Sequence, residues 1–500
     1  MTRLVTDNLY GLLDRSFVAA GGKTAIRTPE NEFRLTYVEL RRAVSRYANA
    51  LVALGVEPGQ RISVQAEKSV SGVLLYLASL KAGAVYQPLN PAYTESETDY
   101  FIGDAEPRVI VCDASRLASM RRVGERHKVV SVIALDGAES SLTSLAGRMD
   151  EHHETVARAA SDLAGLLYTS GTTGKSKGAM ITHGNLASNA LTLLKLWSFR
   201  DGDRLLHALP IFHVHGLFVA LNTTFLSGAE IIWLEKFDVG AVIAALPQAS
   251  LMMGVPTFYT RLLASPDFTV ETCRHMRLFI SGSAPLLAET HRHFSARTGH
   301  TILERYGMTE TGMIASNPYD GQRIAGTVGF SLPDVSVRIA GAQPGVLEVK
   351  GPNVFKGYWR RPEATAEAFT EDGYFVTGDV GTIDADGRIS IVGRASDVII
   401  SGGLNVYPRE IEAAIDALPG VAESAVVGVP HPDFGEGVIA AVTARGPLAP
   451  EALMIAELAT RLAGFKVPKR ILLMDELPRN AMGKVEKGEL RRRYQTIFGT

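Results

Sequence analysis

The 500-residue chain reads as an α/β protein. The expected arrangement is a large N-terminal domain of α/β sheets with a β-rich subdomain, followed by a small mobile α+β domain at the C-terminus. Three observations predict this. Helix-like and strand-like runs alternate over roughly the first 110 residues, as in largely parallel sheets. From about Gly326 the texture changes to short alternating strands divided by turn residues. After Gly393-Arg394 a further hundred residues or so carry their own strand and helix signals, enough for an independent small domain. The division expected is therefore 1–394 and 395–500, with a hinge within 394–397.

Taken in order, residues 37–54 space their apolar side chains for a helix, 61–66 read as a strand and 69–82 as a second helix. Val109-Ile-Val-Cys112 and 129–134 are short strands of the buried kind. Residues 335–339, 345–350 and 381–392 alternate apolar and polar positions, and Asp386-Gly387 is a hairpin signal, so a β-rich, barrel-like subdomain is predicted. In the last domain 398–400 and 424–429 read as strands, 408–415 and 451–463 as helices.

Composition excludes several classes. With 46% hydrophobic residues the chain can bury a large core, and it is too long for one ordinary domain. A net charge of −2 gives no electrostatic case for nucleic acid or an anionic membrane. Cys112 and Cys273 are the only cysteines, which suits a reducing cytoplasm and neither a disulfide framework nor a structural zinc site. The first ten residues hold no apolar signal-peptide core. The most apolar long stretch, 205–234, is broken by Pro210, His213, His215, Asn222 and Glu230, and reads as a buried helix plus strand. A cytoplasmic protein with no obligate protein partner is expected.

Function is concentrated first in Tyr168-Thr-Ser-Gly-Thr-Thr-Gly-Lys-Ser-Lys-Gly178, eleven residues with three glycines, five Ser/Thr hydroxyls, two lysines and no carboxylate. Glycines let backbone N–H groups approach an anion, and the hydroxyls and lysines add donors and charge. An apolar strand precedes the loop, and Ala179–Asn185 leads into a helix with Asn185 as its expected cap. Strand, loop and helix together predict a polyphosphate site. It is not the Walker A loop, because Thr169 stands where that pattern needs glycine.

This loop resembles the phosphate-binding signature of the adenylate-forming superfamily of acyl- and aryl-CoA synthetases, adenylation domains and luciferases. Ser176 stands where those proteins usually have proline. Further matching segments follow in the family's order, up to Lys484: Glu304-Arg-Tyr-Gly-Met-Thr-Glu-Thr-Gly312, Tyr374-Phe-Val-Thr-Gly-Asp379, Gly393-Arg-Ala-Ser-Asp397, Ser401-Gly-Gly-Leu-Asn-Val-Tyr-Pro408 and Pro478-Arg-Asn-Ala-Met-Gly-Lys484.

The resemblance implies a site for ATP, Mg2+ and coenzyme A. Thr169, Ser170, Gly171, Thr172, Thr173, Gly174, Lys175 and Lys177 would surround the phosphates, Thr169 also lying at the metal. Glu304 and Tyr306 would flank adenine, Thr309 would meet the α-phosphate and Glu310 would bind Mg2+, a hard cation that favours oxygen. Asp379 and Arg394 would hold the ribose, and Gly402 and Gly403 would line the pantetheine channel. Lys484 would bridge carboxylate and α-phosphate during adenylation. Read without the family, Glu310 suits a helix N-terminus, Asp379 a turn, and Lys484 a basic tail. Ser396 occupies a hinge position where most relatives carry Lys or Asp.

Leu209-Pro-Ile-Phe-His-Val-His-Gly216, Pro256-Thr-Phe-Tyr-Thr-Arg261 and Ser281-Gly-Ser-Ala284 bring the resemblance closer to malonyl-CoA synthetases. In that comparison His213 gates the acyl pocket, Ser283 contacts substrate, and Met308 limits the space for a 2-methyl group. Arg261 is the expected clamp for the second carboxylate of a small dicarboxylate, its alternative being an ordinary exposed helical arginine. The predicted reaction is ATP-dependent ligation of malonate, or methylmalonate, to CoA through a malonyl-AMP intermediate. A synthetase for another short acid, a stand-alone adenylation enzyme serving a carrier protein, and a nucleotide-binding module without turnover are the alternatives.

Overall fold

The computed structural model describes residues 7–137, 139–169, 176–480 and 483–499. It is mixed α/β, with a large N-terminal part of sheets and helices and a C-terminal domain. The chain divides into two compact units, one of Met1–Leu286, Thr290–Ser336 and Val349–Phe375, the other of Leu287–Glu289, Val337–Glu348 and Val376–Thr500. No helix among the described residues is long and apolar enough to cross a membrane.

The first unit holds two sheets. One has six strands in the order Ser131–Ala134, Val109–Cys112, Arg61–Gln65, Val85–Pro88, Leu163–Thr169 and Lys177–Thr182. All neighbours are parallel except the last pair, an antiparallel hairpin. Helix Tyr37–Ala53 opens on a capping box in which Thr36 and Glu39 satisfy each other's backbone donors. Helix Val70–Lys81 opens on Ser69, whose hydroxyl accepts from Gly72 N.

The other sheet has nine strands, and its parallel centre includes Arg204–His207, Leu251–Gly254, Leu278–Ser281 and Leu303–Met308. An aromatic cluster packs beneath these strands, with Phe279 and Phe294 at 4.9 Å and Tyr259 edge-on to Phe294 at 5.4 Å. Each such buried side chain contributes roughly 1.5–3 kcal/mol of burial. This core fixes the strand ends that carry the pocket residues.

In the second unit, strands Val421–His431 and Gly435–Ala444 form an antiparallel ribbon, and Arg470–Leu473 adds in parallel. Alternation sends Val426 to the face covered by Ile411 and Ile415 of helix Pro408–Asp416. Val427 and Val429 point to the face covered by Leu490. The β-rich segment forms a four-stranded sheet in the order Ser336–Ala340, Gly345–Lys350, Phe375–Ile383, Ile389–Arg394. Among the described residues no pairing joins its outer strands, so it is an open sheet where a barrel-like closure was expected.

Candidate active site

Thr169 ends its strand paired with Lys177, so the phosphate-loop segment joins two antiparallel strands. Ser170, Gly171, Thr172, Thr173, Gly174 and Lys175 lie outside the described residues. The stems are held on both sides. Tyr168 donates to Asp104 Oδ2 at 2.7 Å, Tyr100 donates to Ser176 O at 2.7 Å, and Trp359 N donates to Gly178 O at 2.7 Å. The Lys177 ammonium lies 5.2 Å from the centre of the Tyr358 ring, a cation–π contact.

The expected strand–loop–helix order is corrected here. Lys177–Thr182 continues the sheet, and the helix His183–Leu196 starts only afterwards. Its cap is Thr182, while Asn185 sits three residues in and returns the bond, Asn185 Oδ1 accepting from Thr182 N at 2.9 Å. The apolar Ala179-Met-Ile run suits a buried strand as well as a helix start, and periodicity cannot separate the two over so few residues.

Glu304, Tyr306 and Met308 lie on strand Leu303–Met308, which turns at Thr309-Glu310-Thr311 into strand Gly312–Ser316. Glu310 is therefore in a hairpin turn, not at a helix start. It is buried, accepts from Tyr358 OH at 3.1 Å, and its carbonyl accepts from Phe355 N at 2.7 Å. Glu304 Oε1 accepts from Leu286 N at 3.3 Å.

Two asparagines missed in the sequence reading brace this hairpin. Asn189 exchanges bonds with Met313 N and O at 3.1 and 3.0 Å, and Asn353 Nδ2 donates to Thr311 O at 2.8 Å. A Cβ at Gly307 would meet Gly312 O at 2.1 Å, so the turn requires glycine.

The acid-pocket candidates come together only in part. His215 begins a π-helical stretch, His215–Leu221, and its Nδ1 lies 3.2 Å from Ser283 Oγ. Ser283 holds a left-handed φ of +70°, which costs a non-glycine residue about 1–2 kcal/mol. Burial drives the His215 pKa well below its ordinary value, reinforced by Arg305, His213 and His207, so the ring is neutral. His213 is half-buried, its carbonyl accepting from Leu217 N at 2.9 Å. Arg261 is exposed on helix Pro256–Leu263, and no ion pair to it is present among the described residues.

The residue that sequence reasoning passed over is Arg305. It is 3% exposed, and its Nε and Nη2 have no hydrogen-bond partner among the described residues. Its guanidinium packs on the Ser281-Gly282-Ser283 turn so closely that a Cβ at Gly282 would lie 2.5 Å from it. Burial pulls its pKa down to about 9. Ser281 Oγ and His215 Nε2, both buried, also lack partners among the described residues. Its sequence neighbours carry no signal for this burial, which depends on the room left by Gly282.

In the second unit Asp379 faces Arg394 across an antiparallel pair, and Arg394 Nε lies 2.8 Å from Asp379 Oδ1. Gly402 and Gly403 form the two-residue turn of a hairpin in which Ser401 pairs Leu404, with φ of +58° and +77°. Ser396 lies in the short turn of helix Ala395–Asp397. Lys484 is exposed, its N–H donating to Asn480 Oδ1 at 3.1 Å.

For Mg2+, the donor chemistry fits an ion held largely by phosphate oxygens, with Glu310 supplying the protein carboxylate. Among the described residues no three His, Cys, Asp or Glu side chains gather into a protein-only metal cage.

Comparison with known proteins agrees with this organisation. The chain is 51% identical to ATP-bound MatB from Rhodopseudomonas palustris, covering 99% of this chain and 100% of that one with a TM-score of 0.95. It is 37% identical over 475 residues to a feruloyl-CoA synthase of Amycolatopsis sp, covering 92% of this chain and 94% of the relative. It is 35% identical over 475 residues to a malonate–CoA ligase of Arabidopsis thaliana, covering 87% and 78% respectively. The AMP-binding enzyme family matches residues 13–359, and the AMP-binding enzyme C-terminal domain matches 410–484. The chain therefore belongs to the AMP-binding enzyme family and is an adenylate-forming enzyme with both of that family's domains.

Proposed function

We propose that the chain joins malonate to CoA, cleaving ATP to AMP and pyrophosphate. The coarser activity, AMP-forming acid–CoA ligation, follows from the family and from relatives such as the malonate–CoA ligase and the feruloyl-CoA synthase. The choice of acid rests on one observation, the buried guanidinium of Arg305 with two donors unmatched beside Ser283 and His215. An unpaired buried cation costs several kcal/mol, and an arriving carboxylate offsets that cost through paired charge-assisted hydrogen bonds. A flat aryl acid such as ferulate has no second carboxylate to supply them. Arg261 is the second candidate for that contact.

In this reading the other carboxylate attacks the α-phosphorus, and pyrophosphate leaves. Lys177, Thr309 and Lys484 offset the charge gathering on the phosphoryl oxygens. Bound Mg2+ would neutralise phosphate charge beside Glu310. Asp379 and Arg394 hold the ribose. The CoA thiol then attacks the acyl carbon, guided along Gly402-Gly403, and AMP departs with the oxygen it gained from the acid.

The test is CoA-dependent AMP release with malonate, methylmalonate, acetate, succinate, benzoate and ferulate, for wild type, Arg261→Ala and Arg305→Met. Malonate should be preferred, and one arginine variant should lose that preference over acetate. If ferulate, benzoate or acetate is the best substrate of the wild type, the ligase stands and malonate falls. If malonate is preferred and both variants keep that preference, the arginine clamp falls.

A further inference from the structure

Lys484 projects from a loop that is strapped to its own domain at two points. Arg479 pairs with Val485 in an isolated antiparallel bridge, and Asn480 N donates to Lys484 O at 2.9 Å. The Arg479 side chain spans the loop: Nη1 donates to Gly483 O at 2.6 Å, and Nη2 forms an ion pair with Glu423 on the strand Val421–His431. Beyond the lysine, Lys487 Nζ lies 2.6 Å from Glu412 Oε1, and Glu412 Oε1 also accepts from Val426 N at 2.9 Å. The carbonyl that Arg479 grips belongs to the residue immediately before Lys484, and Gly483 itself sits at a φ of +73°, its N–H donating to Asn480 O at 2.8 Å, so Arg479 is what ties this locally bonded turn to the strand carrying Glu423.

We propose that Arg479 is a positioning residue for Lys484, clamping the Gly483 carbonyl to Glu423 so that the lysine backbone is fixed when the adenylate forms. A lysine with a long flexible stem is a useful electrostatic donor only if its Cα is held, since a misplacement of about 1 Å can cost about 10²-fold. Arginine suits this task because its planar fork serves two acceptors at once, which a single ammonium does less well. The inference rests on the reading of Lys484 as the adenylating lysine.

The two half-reactions test it. Acid-dependent exchange of pyrophosphate into ATP reads adenylation, and CoA acylation from preformed malonyl-AMP reads the thiol step. Arg479→Ala should slow exchange by ~10²-fold and leave the thiol step within about threefold. Arg479→Lys, reaching one partner, should fall between, at a loss of roughly tenfold. In a Lys484→Ala background Arg479→Ala should add no further loss, because the two act as one unit.

Hydrogen exchange over residues 483–487 should speed up in Arg479→Ala while the ribbon 421–444 stays protected. This last readout decides the clamp even if wild type activates no acid tried, an outcome that would sink the ligase reading instead. Unchanged exchange at 483–487, equal loss in both half-reactions, or an additive double variant would each overturn the proposal.

Discussion

Arg394 Nε stands 2.8 Å from Asp379 Oδ1, and the two residues are direct partners in an antiparallel pair. Asp379 is 6% exposed, and the guanidinium offsets the charge of its carboxylate. The Arg394 side chain is 43% exposed, which screens the pair. Arg394→Ala should therefore cost only about 1–2 kcal/mol of stability but raise KM for ATP, because both proposed ribose contacts loosen together. Asp379→Asn should raise the same KM more. A thermal melt beside ATP kinetics checks this, and a large fall in Tm with unchanged KM would make the pair structural only.

Arg305 carries an opposite trade. With no acid bound, its burial is a cost, and Arg305→Met replaces an unmatched charge by apolar volume of similar length. The substituted protein should melt at the same temperature or higher, by up to about 1–4 kcal/mol, while malonate turnover falls at least ~10²-fold. Acetate turnover should change far less. A marked drop in Tm would mean that the guanidinium supports the fold and that its two spare donors are incidental.

The elements that local pattern determines were legible. Residues 61–66 and 109–112 became strands Arg61–Gln65 and Val109–Cys112, the first alternating apolar with polar side chains and the second apolar throughout, as a strand buried on both faces is. Apolar spacing alone marked the helices at 37–54 and 69–82, and the structure adds the caps at Thr36 and Ser69. What was hidden depends on partners distant in sequence. Nothing within a few residues of Arg305 shows that Gly282 leaves room for it, and nothing near Met313 shows that Asn189 grips its backbone. Glu310 was ambiguous for a related reason, since a Thr-Glu-Thr turn suits both a helix start and a hairpin until the following strand finds its partner.

Gly402 and Gly403 give a prediction about the thiol step. Both hold left-handed φ, and among the described residues, its own chain neighbours aside, no atom lies within 4 Å of a Cβ built at Gly403, so conformation alone penalises a side chain there. Gly403→Asn, which tolerates that region, should keep the fold and most CoA acylation. Gly403→Val should cost about 1–2 kcal/mol or more and slow acylation from preformed malonyl-AMP, with pyrophosphate exchange little affected. Equal loss in both half-reactions for Val would place the turn outside the thiol path.

Asp416 predicts how stability follows pH. It closes helix Pro408–Asp416, is 7% exposed, and its Oδ1 has no partner among the described residues. Burial raises its pKa from 3.8 to about 7, with Glu412 and Glu423 adding to the rise and a hydrogen bond from Ser424 opposing it. The nearby cations Lys487 and Arg479 are spent on those two glutamates. Between pH 4 and 7 the unfolded chain has already lost this proton while the folded chain keeps it. The fold therefore binds more protons, and stability falls as pH rises through that window, by about 1.4 kcal/mol per unit and about 4 kcal/mol in all. Above pH 7 both states are ionised and the penalty is constant. Asp416→Asn removes the titration and keeps a partner for Ser424. The substituted protein should gain about 2–3 kcal/mol over wild type between pH 5 and pH 8, read from urea melts at each pH. A difference between the two proteins that does not change with pH would show that Asp416 is ionised in the fold throughout.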